Sequence, residues 1–146
     1  MSNSSDNPID EEAFKDRLSL YVWTMINIPD VPVSLEGLEQ DDRARIMIAR
    51  KDCPIDFTGF DSYHKAWVMV DRKDCPIDLR GLSQSDRAWV MIDRKDCPID
   101  LTGLDSYCKS WVMINRGDCS IDFEGVSPED EAWVKRERKS RYGEDL

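Results

Sequence analysis

The sequence is poor in the residues from which most catalytic sites are built. It has one histidine, His64, in 146 residues. Its five cysteines include no C-x-x-C pair, the usual close spacing of a zinc site. It has no G-x-S-x-G, no H-E-x-x-H and no phosphate-cradling glycine loop. The expectation is a protein that is not an enzyme and needs no cofactor or metal. No apolar run approaches the roughly 20 residues of a membrane span. The opening MSNSSDNPIDEE lacks the basic start and apolar stretch of a secretory signal, which points to a cytoplasmic protein.

Acid is abundant. The net charge is −10, and residues 1–134 alone carry −12 because the segment KRERKSRY (135–142) is basic. An acidic body repels nucleic-acid phosphates and anionic membranes. It favours a basic partner, although charge of this size also serves solubility alone.

The dominant feature is a 22-residue repeat. Cysteines stand at 53, 75, 97 and 119, tryptophans at 67, 89, 111 and 133, methionines at 25, 47, 69, 91 and 113, and glycines at 37, 59, 81, 103 and 125. Trp23 sits two periods before Trp67, with Arg45 in the intervening place. A 44-residue period overlays the first: DSYHKAW matches DSYCKSW, and SQSDRAW resembles EQDDRAR. Six copies of the Trp-containing part can be counted.

Each copy has two parts. SQSDRAWVMIDRK (83–95) begins with a cap, Ser83 followed by Asp86, and SPEDE (127–131) puts proline at the first helical position. Acids lead and Arg-Lys closes, as a helix dipole prefers. Tyr63, Ala66, Trp67 and Val70 recur at helical spacing, with Val68 and Met69 widening the face. Helices are expected near 62–72, 84–94 and 106–116. The second part, such as DCPIDLRGL (74–82), is short and extended, because proline disfavours helix before it. Its glycine column implies φ > 0 or close backbone packing.

These features predict a mainly all-α fold, a short right-handed α-solenoid of six helix-plus-extended-loop repeats. The alternative is a leucine-rich-repeat-like α/β coil in which WVMI forms the strand. The expected layout is a disordered segment at 1–9, one solenoid domain at 10–137 and a charged tail at 138–146.

The Cys column reads as buried core, since Val31 takes the same place without a thiol and stacked helices hold equivalent cysteines too far apart to bridge. Cys108, outside the column and matching His64, is expected to be the more accessible thiol. The Trp column reads as core. The aspartates form ladders: Asp30, Asp52, Asp74, Asp96 and Asp118; Asp56, Asp78, Asp100 and Asp122; and Asp71 with Asp93. Capping of their own turns is one reading, and an exposed recognition stripe is the other.

With the core columns fixed and the helix starts variable, the expected function is a non-enzymatic acidic scaffold that binds a protein through a basic surface. One version is an inhibitor mimicking nucleic-acid phosphates, with a nucleic-acid-binding protein as its partner. Expected contacts are Asp71, Asp93, Asp78, Asp100, Asp56, Asp122, Tyr63, His64, Lys65, Arg87, Tyr107 and Lys109. The alternative is a thiol-redox or enzymatic protein using Cys108 and His64.

Overall fold

A computed structural model describes the backbone of residues 8–146 and side chains from Arg17 onward. Six α-helices are found among them: α1 (Pro8–Asn27), α2 (Gln40–Ala49), α3 (Ser62–Asp71), α4 (Gln84–Asp93), α5 (Ser106–Asn115) and α6 (Pro128–Tyr142). No strand occurs among the described residues, so the leucine-rich alternative gives way to the helical one. WVMI is helical in every copy that carries it. No helix is long and apolar enough to cross a membrane.

The chain divides into two compact units, one ending at Gly59 and one spanning Phe60–Leu146. In the first, α1 packs on α2. In the second, α3, α4, α5 and α6 pack in sequence, each on the next, which makes a helical repeat stack. Most of the expected segment 1–9 lies outside the described residues, and α1 already begins at Pro8. The expected tail at 138–146 starts inside α6, and its first residue, Arg138, is buried.

Local chemistry sets the helix bounds. Ser83 accepts the N–H of Asp86, and Ser127 that of Asp130, as the capping pattern implies. Asp61 and Asp105 cap α3 and α5 in the same way. α3 and α4 are followed by extended residues and then by turns closed by Leu82 N–H on Leu79 O and by Leu104 N–H on Leu101 O. Gly81 and Gly103 stand third in these turns with φ of 78° and 77°, a type II geometry that other residues resist.

The core is aliphatic and sulfur-rich: Val68, Val90 and Val112, Met69, Met91 and Met113, Cys75 and Cys97 are almost wholly buried. Each such Val or Met contributes about 1.5–3 kcal/mol through burial. The methionine sulfurs also meet the loops, accepting the N–H of Asp78, Asp100 and Asp122 at 3.4–3.5 Å.

A column of buried arginines holds successive copies together. Arg94 donates from Nε and Nη2 to both oxygens of Asp96, at 2.9 and 2.7 Å. Its Nη1 donates to the carbonyls of Met69, Cys75 and Arg72 at 2.7, 3.1 and 3.4 Å. Arg116 and Arg138 repeat this on the next two copies, and Arg50 does so on Met25, Ile28 and Pro29. A buried guanidinium left unpaired would cost several kcal/mol; here it caps the carbonyls that end the preceding helix. The Asp52, Asp96 and Asp118 ladder therefore serves chiefly as counter-ion to the arginine two residues earlier, a role that turn-capping did not anticipate.

The 44-residue period also has a physical basis. Ser62 accepts the N–H of Ser83 and donates to Asp86; Ser106 does the same with Ser127 and Asp130. Between these two joints Gln84 instead accepts the N–H of Asp105. Neighbouring caps are thus tied by alternating chemistry, serine then glutamine, and a copy fits its partner type.

Candidate partner-binding face

The sequence-expected contact residues fall on two faces. Tyr63, Trp67 and Asp71 lie on α3 at i, i+4 and i+8, a single stripe on the helix. The corresponding stripes are Ser85, Trp89 and Asp93 on α4, Tyr107, Trp111 and Asn115 on α5, and Glu129, Trp133 and Glu137 on α6. Tyr63 and Tyr107 are 53% and 59% exposed. Each ring stacks on the tryptophan of the next helix, Tyr63 on Trp89 at 5.7 Å and 22°, Tyr107 on Trp133 at 5.7 Å and 20°.

The tryptophans are half-buried, not the core expected of them. The reason is the indole N–H, which must find a partner when buried. Trp67 and Trp89 donate theirs to the carboxylates of Asp71 and Asp93 at 2.7 and 2.8 Å, which keeps one edge of each ring at the surface. Trp23, in the first unit, is 55% exposed.

The second face carries the remaining aspartates. Asp56, Asp78, Asp100 and Asp122 each accept the N–H two residues on, from Thr58, Arg80, Thr102 and Glu124. Asp78 is also paired with the Arg80 guanidinium at 2.9 Å, chiefly which brings its carboxyl down to about 2. Backbone donation by Thr102 and Glu124 lowers those of Asp100 and Asp122, and the Thr58 side chain that of Asp56. Asp118, held by Arg116, also drops to about 2. These carboxylates are exposed but committed to turns and ion pairs.

Several expected contacts are committed too. Arg87 donates to the carbonyls of Thr102 and Gly103, and the buried Lys109 to Glu124 O at 2.6 Å, pinning the loop of their own copy. A cavity of about 640 Å³ lies beside Lys109, lined by Ile99, Leu101, Asp118, Asp122 and Glu124 among others. Lys65, in the same column, lies half-buried on α3 and its charge helps to lower the Asp78 carboxyl. His64 is largely buried, with Nδ1 at 2.6 Å from Asp61 and its ring edge-on to Tyr63.

Cys108 is the clear reversal. It is 3% exposed, and burial, followed by a hydrogen bond with Asp105, raises its thiol pKa. His64 lies on α3 and Cys108 on α5, with α4 packed against both, so the two form no nucleophile–base pair. All five cysteines are free and buried. Among the described residues no group of three His, Cys, Asp or Glu side chains is placed to hold a metal ion.

Fold and faces together define a helical tandem-repeat protein with an aromatic stripe edged by acid. No protein-family model matches the chain, and neither a curated protein nor a solved structure shows significant similarity to it.

Proposed function

We propose that this chain is a non-enzymatic acidic scaffold that binds another protein through a basic surface, and that the Trp-column face of the second unit is where it does so. The observation that carries the reading is the state of Asp71 and Asp93. Both are exposed, and the partner of each is an indole N–H, not a cation. The Asp52, Asp96 and Asp118 column is neutralised by arginine, and the Asp78 column is drawn into turns. At Asp71 and Asp93 a charge not answered by a cation within the chain stands beside an aromatic ring, where an arginine or lysine finds a carboxylate and a π-face together.

The phosphate-mimic version needs all three ladders at once, because one ladder stepped by about 9 Å is far sparser than duplex charge at about 1.7 Å. Two ladders being occupied, the protein-surface version is the better supported.

The test uses a labelled peptide of four Arg-Gly-Gly units as a flexible basic probe. Asp71→Asn with Asp93→Asn is expected to weaken its binding at least fivefold at low salt. Asp78→Asn with Asp100→Asn is expected to lower the melting temperature while leaving the affinity within twofold. Equal affinity for the Asp71/Asp93 double variant and the parent chain would remove the reading.

A further inference from the structure

The spacing of the rows on the Trp-column face bears on the conformation of a basic partner. Across α3 to α6 the face presents three rows perpendicular to the helices. The middle row is Trp67, Trp89, Trp111 and Trp133. Tyr63 and Tyr107 flank it on one side, and Asp71, Asp93, Asn115 and Glu137 on the other. Consecutive packed helices stand about 8–10 Å apart, so each row advances by that step. A polyproline II segment turns once in three residues, rising about 9.3 Å. Every third side chain of such a segment points the same way, in step with the rows.

We propose, resting on the basic-partner reading, that the face binds a polyproline II segment of a partner chain with a basic residue at every third position. The segment lies along the tryptophan row, its proline rings against the indoles and the stacked tyrosines. Its cations reach the Asp71 and Asp93 side. Three features favour this occupant. The aromatic row is continuous in kind, four tryptophans with a tyrosine stacked on two of them. The acids Asp71 and Asp93 stand to one side of the row on α3 and α4, which suits a helix with its charge along one edge, while on α5 and α6 the same edge, Asn115 and Glu137, is engaged by Arg141. The proline-rich helix is stiff before it binds, so a shallow surface suffices, because little conformational entropy is lost. A basic α-helix repeats its face about every 5.4 Å, or about 10.8 Å over two turns, the first well short of the row step and the second beyond it, whereas the polyproline II turn of about 9.3 Å falls within it.

Three peptides of equal net charge separate this idea from the one beneath it. The first has four Arg-Pro-Pro units and the second four Arg-Gly-Gly units. The third has four arginines separated by three prolines. Tryptophan indole N–H signals are followed by NMR, with Trp23, which lies in the other unit, as internal reference. The expected result is that the Arg-Pro-Pro peptide binds at least tenfold tighter than the other two, shifting the signals of Trp67, Trp89, Trp111 and Trp133 and leaving Trp23 unmoved. The exposed pair Tyr63→Ala and Tyr107→Ala, with fold checked by circular dichroism, is expected to cut that advantage at least threefold. Equal affinity for the three peptides, tight binding that leaves the four indoles unshifted, or an advantage unchanged in the tyrosine variant overturns the polyproline proposal. If the three bind equally but lose affinity with Asp71→Asn and Asp93→Asn, the basic-partner reading stands without it. If none binds, both fall.

Discussion

Arg94 Nη1 donates to the carbonyl oxygen of Met69, 25 residues earlier, at 2.7 Å. The bond closes the end of α3 with a side chain from the copy after it. The next column members do the same, Arg116 to Met91 and Arg138 to Met113. In α6, where the column has no Asp two residues on, Glu144 accepts from Nε and Nη2 of Arg138, Nη2 also donates to Gly117 O, and Tyr142 lies over the guanidinium at 5.0 Å. The repeat is thus finished off by substituting a carboxylate from six residues away for one from two.

Truncating this link should be costly. Arg94→Ala takes a donor from the buried carbonyls of Met69, Cys75 and Arg72, of which Arg72 O keeps the Cys75 N–H, and leaves Asp96 without its guanidinium; buried groups without partners cost about 1–3 kcal/mol each. A total of about 3–5 kcal/mol is expected, in the range measured when a buried pair loses one member. Arg94→Lys should recover little, since one ammonium cannot reproduce the planar fork that meets Asp96 and the carbonyls together. Urea unfolding of both variants checks this; a lysine variant as stable as the parent would mean the carbonyl contacts contribute little.

Acid should unfold the protein through its loops. Asp78 and Asp118 titrate near 2 in the folded chain, and Asp96 is lowered by Arg94. An unfolded aspartate titrates near 3.9. Their folded values being depressed, these groups favour the native state above about pH 4, and that contribution is lost as pH falls towards 2. The melting temperature should therefore hold steady from pH 7 to about 5 and drop between about 4 and 2. Asp118→Asn should start lower and fall less steeply. Calorimetry across that range tests it, and a drop centred near pH 6 would point to another group.

The thiols should be slow. Cys75, Cys97, Cys108 and Cys119 are buried, and desolvation raises the pKa of each. Thiolate, not thiol, attacks a disulfide reagent. At pH 8 the native chain should release far less than one equivalent in the first minutes, and all five after denaturant. A single fast equivalent lost on Cys108→Ser would restore the thiol alternative.

How much of this could be read from the letters follows from where each partner sits. The helices at Ser62–Asp71, Gln84–Asp93 and Ser106–Asn115 fall within a residue of their expected ends, because caps and periodicity are local. The arginine column was visible as letters but not as a link, since its partners are main-chain carbonyls of another copy and carry no sequence signature. Its charge suits the dipole of its own helix, yet its guanidinium serves the helix before. The tryptophans lie nearer the surface than their periodicity implies, and the letters hold one sign of it, an aspartate four residues after Trp67 and Trp89, within reach of an indole at the surface. Of the expected contacts, Asp71, Asp93, Tyr63 and Tyr107 share a face, whereas the Asp78 and Arg87 columns are taken up by turns and carbonyls that only the fold reveals.

The alternation along the aromatic face can be tested by completing it. Tyr63 stacks on Trp89 and Tyr107 on Trp133, each pair 26 positions apart. The same step from Trp111 leads back to Ser85, which is exposed on α4. Ser85→Tyr should therefore supply the missing ring over Trp111, in a helical position already suited to tyrosine on the helices either side. An aromatic pair adds about 0.5–1.5 kcal/mol beyond the area it covers. The hydroxyl given up stands near Cys108, where its hydrogen bond lowers the thiol pKa while burial raises it, so that thiol should move further from reactivity. For a chain of this size the gain corresponds to a rise of about 2–5 °C in melting temperature. Near-ultraviolet circular dichroism should gain intensity from the new Tyr–Trp pair, and Trp111→Leu in the same background should abolish both changes. A melting temperature that fails to rise, with the dichroism unchanged, would mean that the 44-residue alternation of tyrosine and serine does not act through stacking, leaving the caps of Ser62, Gln84 and Ser106 as its physical basis.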